Sequence, residues 1–184
     1  YDYGFDSTPV GHDYLIRSWD TGKKFKFQIF DITSRDTDPS KISLVSEITG
    51  TPPNNCGPGC GGTFINRAHK GWWSQQSGLF YSSSGEPGFR GLTLIHIWDL
   101  KDPTHPKFIG RAWGPGQKIG EPGFEGQYAH HPIVDELNHR LYIGFRGAGQ
   151  AGAWDISDPT KPTMVWLIDT NPPGRGPHTV SPIT

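Results

Sequence analysis

Trp98-Asp99-Leu100-Lys101-Asp102-Pro103-Thr104-His105-Pro106 recurs further along the chain as Trp154-Asp155-Ile156-Ser157-Asp158-Pro159-Thr160-Lys161-Pro162. Each copy closes an apolar run with an aromatic residue, an Asp and an aliphatic residue. A looser third version begins at Phe30-Asp31-Ile32 and, after an insertion, continues as Asp38-Pro39-Ser40-Lys41. Asp-Pro opens a turn because Pro fixes φ and the Asp carboxylate accepts backbone hydrogen bonds. The second Pro delays ladder formation until a new strand starts. Such strands follow each turn at Ile42 to Ile48, Phe108 to Trp113 and Met164 to Ile168. The spacing predicts three hairpins and an internal repeat.

Upstream of the second and third hairpins lies another pair of strand-like runs. These are His69 to Trp73 with Leu79 to Ser83, and Pro132 to Val134 with Leu141 to Arg146, joined through Ser77-Gly78 and Asn138-His139. Each unit is then a four-stranded antiparallel meander of about 50–60 residues, the size of a propeller blade. The predicted fold class is all-β, a β-propeller with about three blades present and the ring incomplete. Tyr14 to Trp19 aligns with the second strand of a unit, so 1–50 reads as a blade fragment. Blades follow at 69–113 and 130–168, and 178–184 begins another. Three blades do not close a ring, so the expected partner is the remainder of the propeller or another chain that completes it.

Composition agrees. The 25 glycines and 17 prolines among 184 residues are roughly twice average usage and too frequent for helices. Seven Trp, ten Phe and six Tyr concentrate the buriable apolar area in rings, unlike a disordered chain. A net charge of −1 offers no basic field for nucleic acid or an anionic membrane. No apolar run approaches the ~18–20 residues of a membrane span, and no leader pattern opens the chain. Tyr1 is the first residue and Met164 the single methionine, so the sequence reads as lacking its translation start.

The Trp-Asp and Asp-Pro-Thr-x-Pro phrases at 98–106 and 154–162 resemble those of the LVIVD-repeat β-propellers over nearly the whole chain. That resemblance implies the fold and a secreted, periplasmic or cell-surface location, with no defined activity. WD-repeat propellers also end a strand in Trp-Asp, but they lack this turn. Gly176-Pro177-His178-Thr179-Val180 and the Asp-Ile-Ser-Asp-Pro turn are similar, more distantly, to the selenium-binding protein and methanethiol oxidase propellers. A copper-linked oxidase is known in that family, and its catalytic residues are not carried over.

In such a blade the innermost strand begins on the face that also carries the second-to-third strand loop and the inter-blade loop. The long loops Gly50 to Arg67, Ser84 to Gly91, Gly114 to Ala129 and Asn171 to Pro177 therefore share one face, the candidate functional surface. Two of them repeat a phrase, Glu86-Pro87-Gly88-Phe89-Arg90-Gly91 and Glu121-Pro122-Gly123-Phe124-Glu125-Gly126, which reads as a shared turn or a paired ligand contact. Histidines recur where innermost strands begin: His69, the pair His130 and His131, and His178. Imidazole at a channel mouth could bind copper, zinc or iron, or act as acid and base. The competing readings are a histidine satisfied within its blade and a pH sensor. His12, His139, His105 and His96 fall on turns or in a strand and read as surface or packing residues. Arg67, Arg90, Arg146 and Arg175 map to the loop face, where they either grip an anionic ligand or anchor loops.

Cys56-Gly57-Pro58-Gly59-Cys60 suits a disulfide in a secreted chain, and haem attachment would need a different spacing. A zinc site there would need two more ligands, one of which His69 could supply. The repeated Asp31, Asp99 and Asp155 stand at strand ends beside turns and read as turn-bonding groups. Three functions fit these residues. One is a binding module for a small molecule or protein at the loop face. Another is a metal-dependent, copper-type oxidoreductase with a histidine-lined channel, and the third is a structural component of a larger assembly.

Overall fold

The computed structural model describes residues 2–8, 12–18, 25–49, 68–86, 88–91, 93–170 and 176–182. These form three four-stranded antiparallel sheets, each with its strands in chain order. The first holds β1 (Asp2–Thr8), β2 (His12–Ser18), β3 (Phe25–Asp31) and β4 (Ser43–Thr49). The second holds β5 (Ala68–Trp73), β6 (Leu79–Ser84), β7 (Leu94–Asp99) and β8 (Lys107–Ala112). The third holds β9 (Ala129–Asp135), β10 (Arg140–Phe145), β11 (Gln150–Asp155) and β12 (Thr163–Asp169). The first strands follow one another, β5 lying beside both β1 and β9. Each sheet is a blade with its first strand innermost.

One strand was not anticipated. The sequence reading starts the first unit at its second strand, whereas Asp2–Thr8 pairs with β2 and completes a four-stranded blade. Asp and Gly interrupt its apolar residues, and neither favours a strand; pairing with β2 overrides that local preference.

The repeated turns are hydrogen-bonded alike. Asp31, Asp99 and Asp155 each accept a backbone N–H two residues on, from Thr33, Lys101 and Ser157 at 2.9, 3.0 and 2.8 Å. Asp38, Asp102 and Asp158 then accept from Ser40, Thr104 and Thr160 through both backbone and hydroxyl. These carboxylates are consumed by turns, as expected for Asx motifs.

Alternation along each strand sends one set of side chains to each neighbouring blade. Ile16, Phe27, Ile29, Trp73, Phe80, Trp98 and Leu100 fill the space between the first and second blades. Phe27 meets Phe80 and Trp98 edge-on, at 5.2 and 5.3 Å between ring centroids. A second cluster that includes Tyr81, Ile95, Ile97, Leu141, Ile143, Phe145 and Trp154 lies between the second and third blades. The Asp-Pro turns also clasp the preceding blade. Ser46 of β4 donates to the Pro103 carbonyl at 2.7 Å, and Gly110 of β8 lies against the Pro159 carbonyl, where a Cβ would collide with it. The strand registers Ile29–Ser46, Ile97–Gly110 and Ala153–Trp166 place Trp166 at the corresponding position of β12.

Candidate functional site

The starts of β5 and β9, the β6–β7 and β10–β11 connections, and the long connection between β8 and β9 share one end of the blades. Three of the four recurrent histidines meet there. His69 and His130 face one another through their Nε2 atoms at 3.1 Å, with ring planes 71° apart. The His178 ring lies against His130, 4.3 Å between centroids and tilted by 56°. His130 is buried and His178 exposed. His131 follows His130 directly in β9, where three residue steps are set against two of β10, so strict alternation does not hold and the two rings have separate partners. Its Nδ1 lies 3.4 Å from the Thr179 hydroxyl, the ring is hydrogen-bonded to the Gly71 backbone of β5, and it lines a cavity that Trp72 and Val134 also line.

The His130 Nδ1 lies 3.0 Å from the backbone carbonyl of His178, an oxygen that can only accept. Nδ1 therefore carries the proton, and Nε2 offers its lone pair toward His69. Burial, reinforced by the neighbouring charges of His69, His178 and Lys70, lowers the His130 pKa to about 4 although the His178 carbonyl opposes the shift. His131 is also lowered, burial again being the main cause. His130 is thus neutral near pH 7, the state in which imidazole ligates a metal.

Among the described residues, no three His, Cys, Asp or Glu side chains stand close enough to hold one ion together. The His69–His130 pair meets the distance requirement for two ligands. With metal–nitrogen bonds of ~2.0–2.1 Å, Nε2 atoms 3.1 Å apart subtend about 100° at a shared ion, between square and tetrahedral angles. Without an ion, the same separation suits one imidazole donating to the other.

The arginines divide. Arg90 is exposed, and its guanidinium donates to the Glu121 carbonyl at 3.3 Å and lies 5.9 Å from the Phe124 ring centre, so it fastens the connection between β8 and β9. Arg146 is half-buried, and its own carbonyl accepts the Gly176 N–H at 3.0 Å. Arg67, Arg175, Cys56 and Cys60 lie outside the described residues.

The twin Glu-Pro-Gly-Phe phrases have matching backbones: Gly88 and Gly123 have φ of 89° and 84°, Gly91 and Gly126 of 77° and 84°. A shared turn accounts for them, and their glutamates differ. Glu121 accepts from the Trp113 indole at 3.1 Å. Glu86 is buried and takes Arg111 through two nitrogens at 2.7 and 2.8 Å and His96 Nε2 at 2.9 Å. Burial alone would raise the Glu86 pKa, but His96 and Arg111 outweigh it and leave it lowered. The sequence reading missed this buried ion cluster, since Arg111 reaches Glu86 only through the β7–β8 pairing that sets it opposite His96.

No family model matches the chain, and no curated protein does either. Two solved structures are similar. A Lactobacillus plantarum protein superposes with a TM-score of 0.56 at 14% identity, covering 86% of this chain and 37% of its own. The Pseudomonas aeruginosa periplasmic gluconolactonase PpgL superposes with a TM-score of 0.59 at 10% identity, covering 95% of this chain and 46% of its own. The fold is a β-propeller. The chain spans less than half the length of either neighbour, consistent with an incomplete ring whose further blades come from elsewhere. Among the described residues, no helix is long and apolar enough to cross a membrane.

Proposed function

We propose that the chain is part of a secreted or periplasmic LVIVD-like β-propeller binding module whose channel-mouth site takes a transition-metal ion through His69 and His130. The observation that carries this reading is the 3.1 Å approach of two Nε2 atoms from separate blades, one of them held as an acceptor by a backbone carbonyl. Nitrogen donors suit zinc, copper or iron better than calcium or magnesium. The periplasmic location of PpgL and the repeat phrases support the location. Arg90 and Arg146, at the same end of the blades, are the described arginines placed to meet an anionic ligand there. Arg67 and Arg175 are further candidates on sequence alone, as is a disulfide between Cys56 and Cys60.

An ion held by two imidazoles keeps open coordination positions for a substrate or water, and this favours a second reading as a metal-dependent oxidoreductase. Isothermal titration of the purified, metal-stripped chain with zinc or copper tests both. Near-stoichiometric binding that is lost in His69→Ala and His130→Ala supports the site. A wild-type chain that takes up neither ion sinks it.

A further inference from the structure

Residues 176–182 follow the third blade and belong to none of the three sheets, yet they are seated on it by particular contacts. Gly176 N–H donates to the Arg146 carbonyl at 3.0 Å, and Thr179 forms a parallel bridge with His131. The His178 carbonyl accepts twice, from the His131 backbone N–H at 3.1 Å and from His130 Nδ1 at 3.0 Å. Two glycines shape the seat. A Cβ on Gly144 would stand 2.5 Å from the Pro177 oxygen, and one on Gly176 would stand 2.6 and 2.7 Å from the Phe145 and Arg146 oxygens. The backbones lie this close because neither position carries a side chain.

Which nitrogen of an imidazole is free to ligate depends on the bond its other nitrogen makes. For His130 that bond ends on a carbonyl outside its own blade. With the segment seated, Nδ1 is held as the donor and the Nε2 lone pair faces His69. With the segment lifted, the ring loses both its fixed tautomer and its fixed rotation. We propose that docking of residues 176–182 on the third blade regulates the channel-mouth metal site, the His178 backbone carbonyl being the group that orients His130 for ligation. This rests on the reading of His69 and His130 as metal ligands. His178 acts here through its backbone, so His130 is positioned by seating of the segment and not by the His178 ring. Coupling of this kind is reciprocal: a bound ion draws the segment onto β9 by the same factor with which the seated segment raises metal affinity.

Gly144→Ala tests the proposal. The three heavy atoms nearest its added methyl all belong to Pro177 and His178, so the substitution wedges the segment away while leaving the blade unobstructed. Zinc titrations of wild type and variant are paired with hydrogen exchange at the His131 backbone N–H. The expected result is zinc binding about 10–100-fold weaker in Gly144→Ala, the range for loss of a ligand's orienting partner. Zinc should also slow His131 exchange in the wild type by a comparable factor and fail to do so in the variant. Gly176→Ala applies the same wedge from the segment side, should Gly144→Ala not fold. His178→Ala keeps the carbonyl and is expected to retain most of the affinity. Equal zinc affinity in wild type and both glycine variants overturns the coupling while leaving the metal site standing. A large loss in His178→Ala without one in the glycine variants overturns it too, by moving the role to the imidazole. A wild-type chain that binds no zinc removes the metal reading, and the coupling with it.

Discussion

His69 and His130, 61 residues apart in sequence and on different blades, bring their Nε2 atoms within 3.1 Å of each other. Neither strand positions its partner directly; the β5–β9 contact between innermost strands does.

That placement makes His130 a reluctant base. In the metal-free chain its titration by NMR should centre near pH 4, against ~6.5 for a free imidazole. Below about pH 6.5 the unfolded chain takes up this proton while the folded chain does not, so stability falls as pH drops from ~6.5 to ~4. Outside that window this residue contributes no slope. Denaturant midpoints for wild type and His130→Gln across the window measure the effect, and a titration near 6.5 would contradict the burial argument.

Glu86→Gln removes the charge facing Arg111 and His96 between the first two blades. Leaving those groups unbalanced is expected to cost about 3 kcal/mol, within the range for breaking a buried ion pair. Urea unfolding at pH 7 checks it. A loss below about 1 kcal/mol would mean that the cluster is far better hydrated than its burial indicates.

Gly110→Ala drives a methyl into the Pro159 carbonyl of the next blade. Overpacking of this kind costs about 1–3 kcal/mol. Thermal melts report the loss, and hydrogen exchange should localise it to β8 and the 158–162 turn; protection unchanged there would argue against the clasp.

Trp98→Ala empties a fully buried position contacted by Phe27 and Phe108, each at 5.3 Å between ring centroids. The expected cost is about 3–5 kcal/mol. Because the Trp98 indole N–H has no hydrogen-bond partner among the described residues, Trp98→Phe should forfeit packing alone and be clearly milder. Comparable losses in the two variants would show that the indole is bonded after all.

The blade pattern was legible because turn chemistry and strand alternation are local: Asp102-Pro103-Thr104 and Asp158-Pro159-Thr160 fold as they read. β1 was not, because Asp2–Thr8 becomes a strand through pairing with β2. The histidine register pointed to His69, His130, His131 and His178, and the structure brings the rings of His69, His130 and His178 together with His131 next in line along β9. Between Ala129 and Pro132, β9 runs one residue longer than β10 between Ile143 and Phe145, and sequence spacing does not reveal which of two adjacent histidines then faces His69. Arg90 read either as an anion grip or as a loop anchor, and it donates to backbone carbonyls, which no residue pattern advertises. Glu86 gave no sign of its role, since both partners arrive through strand pairing.

The clasp between blades has a direction. The Asp-Pro turns at Pro103 and Pro159 reach back to the outer strand of the blade before them, and β4 and β8 offer small residues, Ser46 and Gly110, to the blade after them. A blade copied whole carries both halves of that joint, so tandem duplication of one unit yields a neighbour that already fits. Ser46 and Gly110 leave room for the following turn at this register, and the third unit carries an indole, Trp166, at the same register.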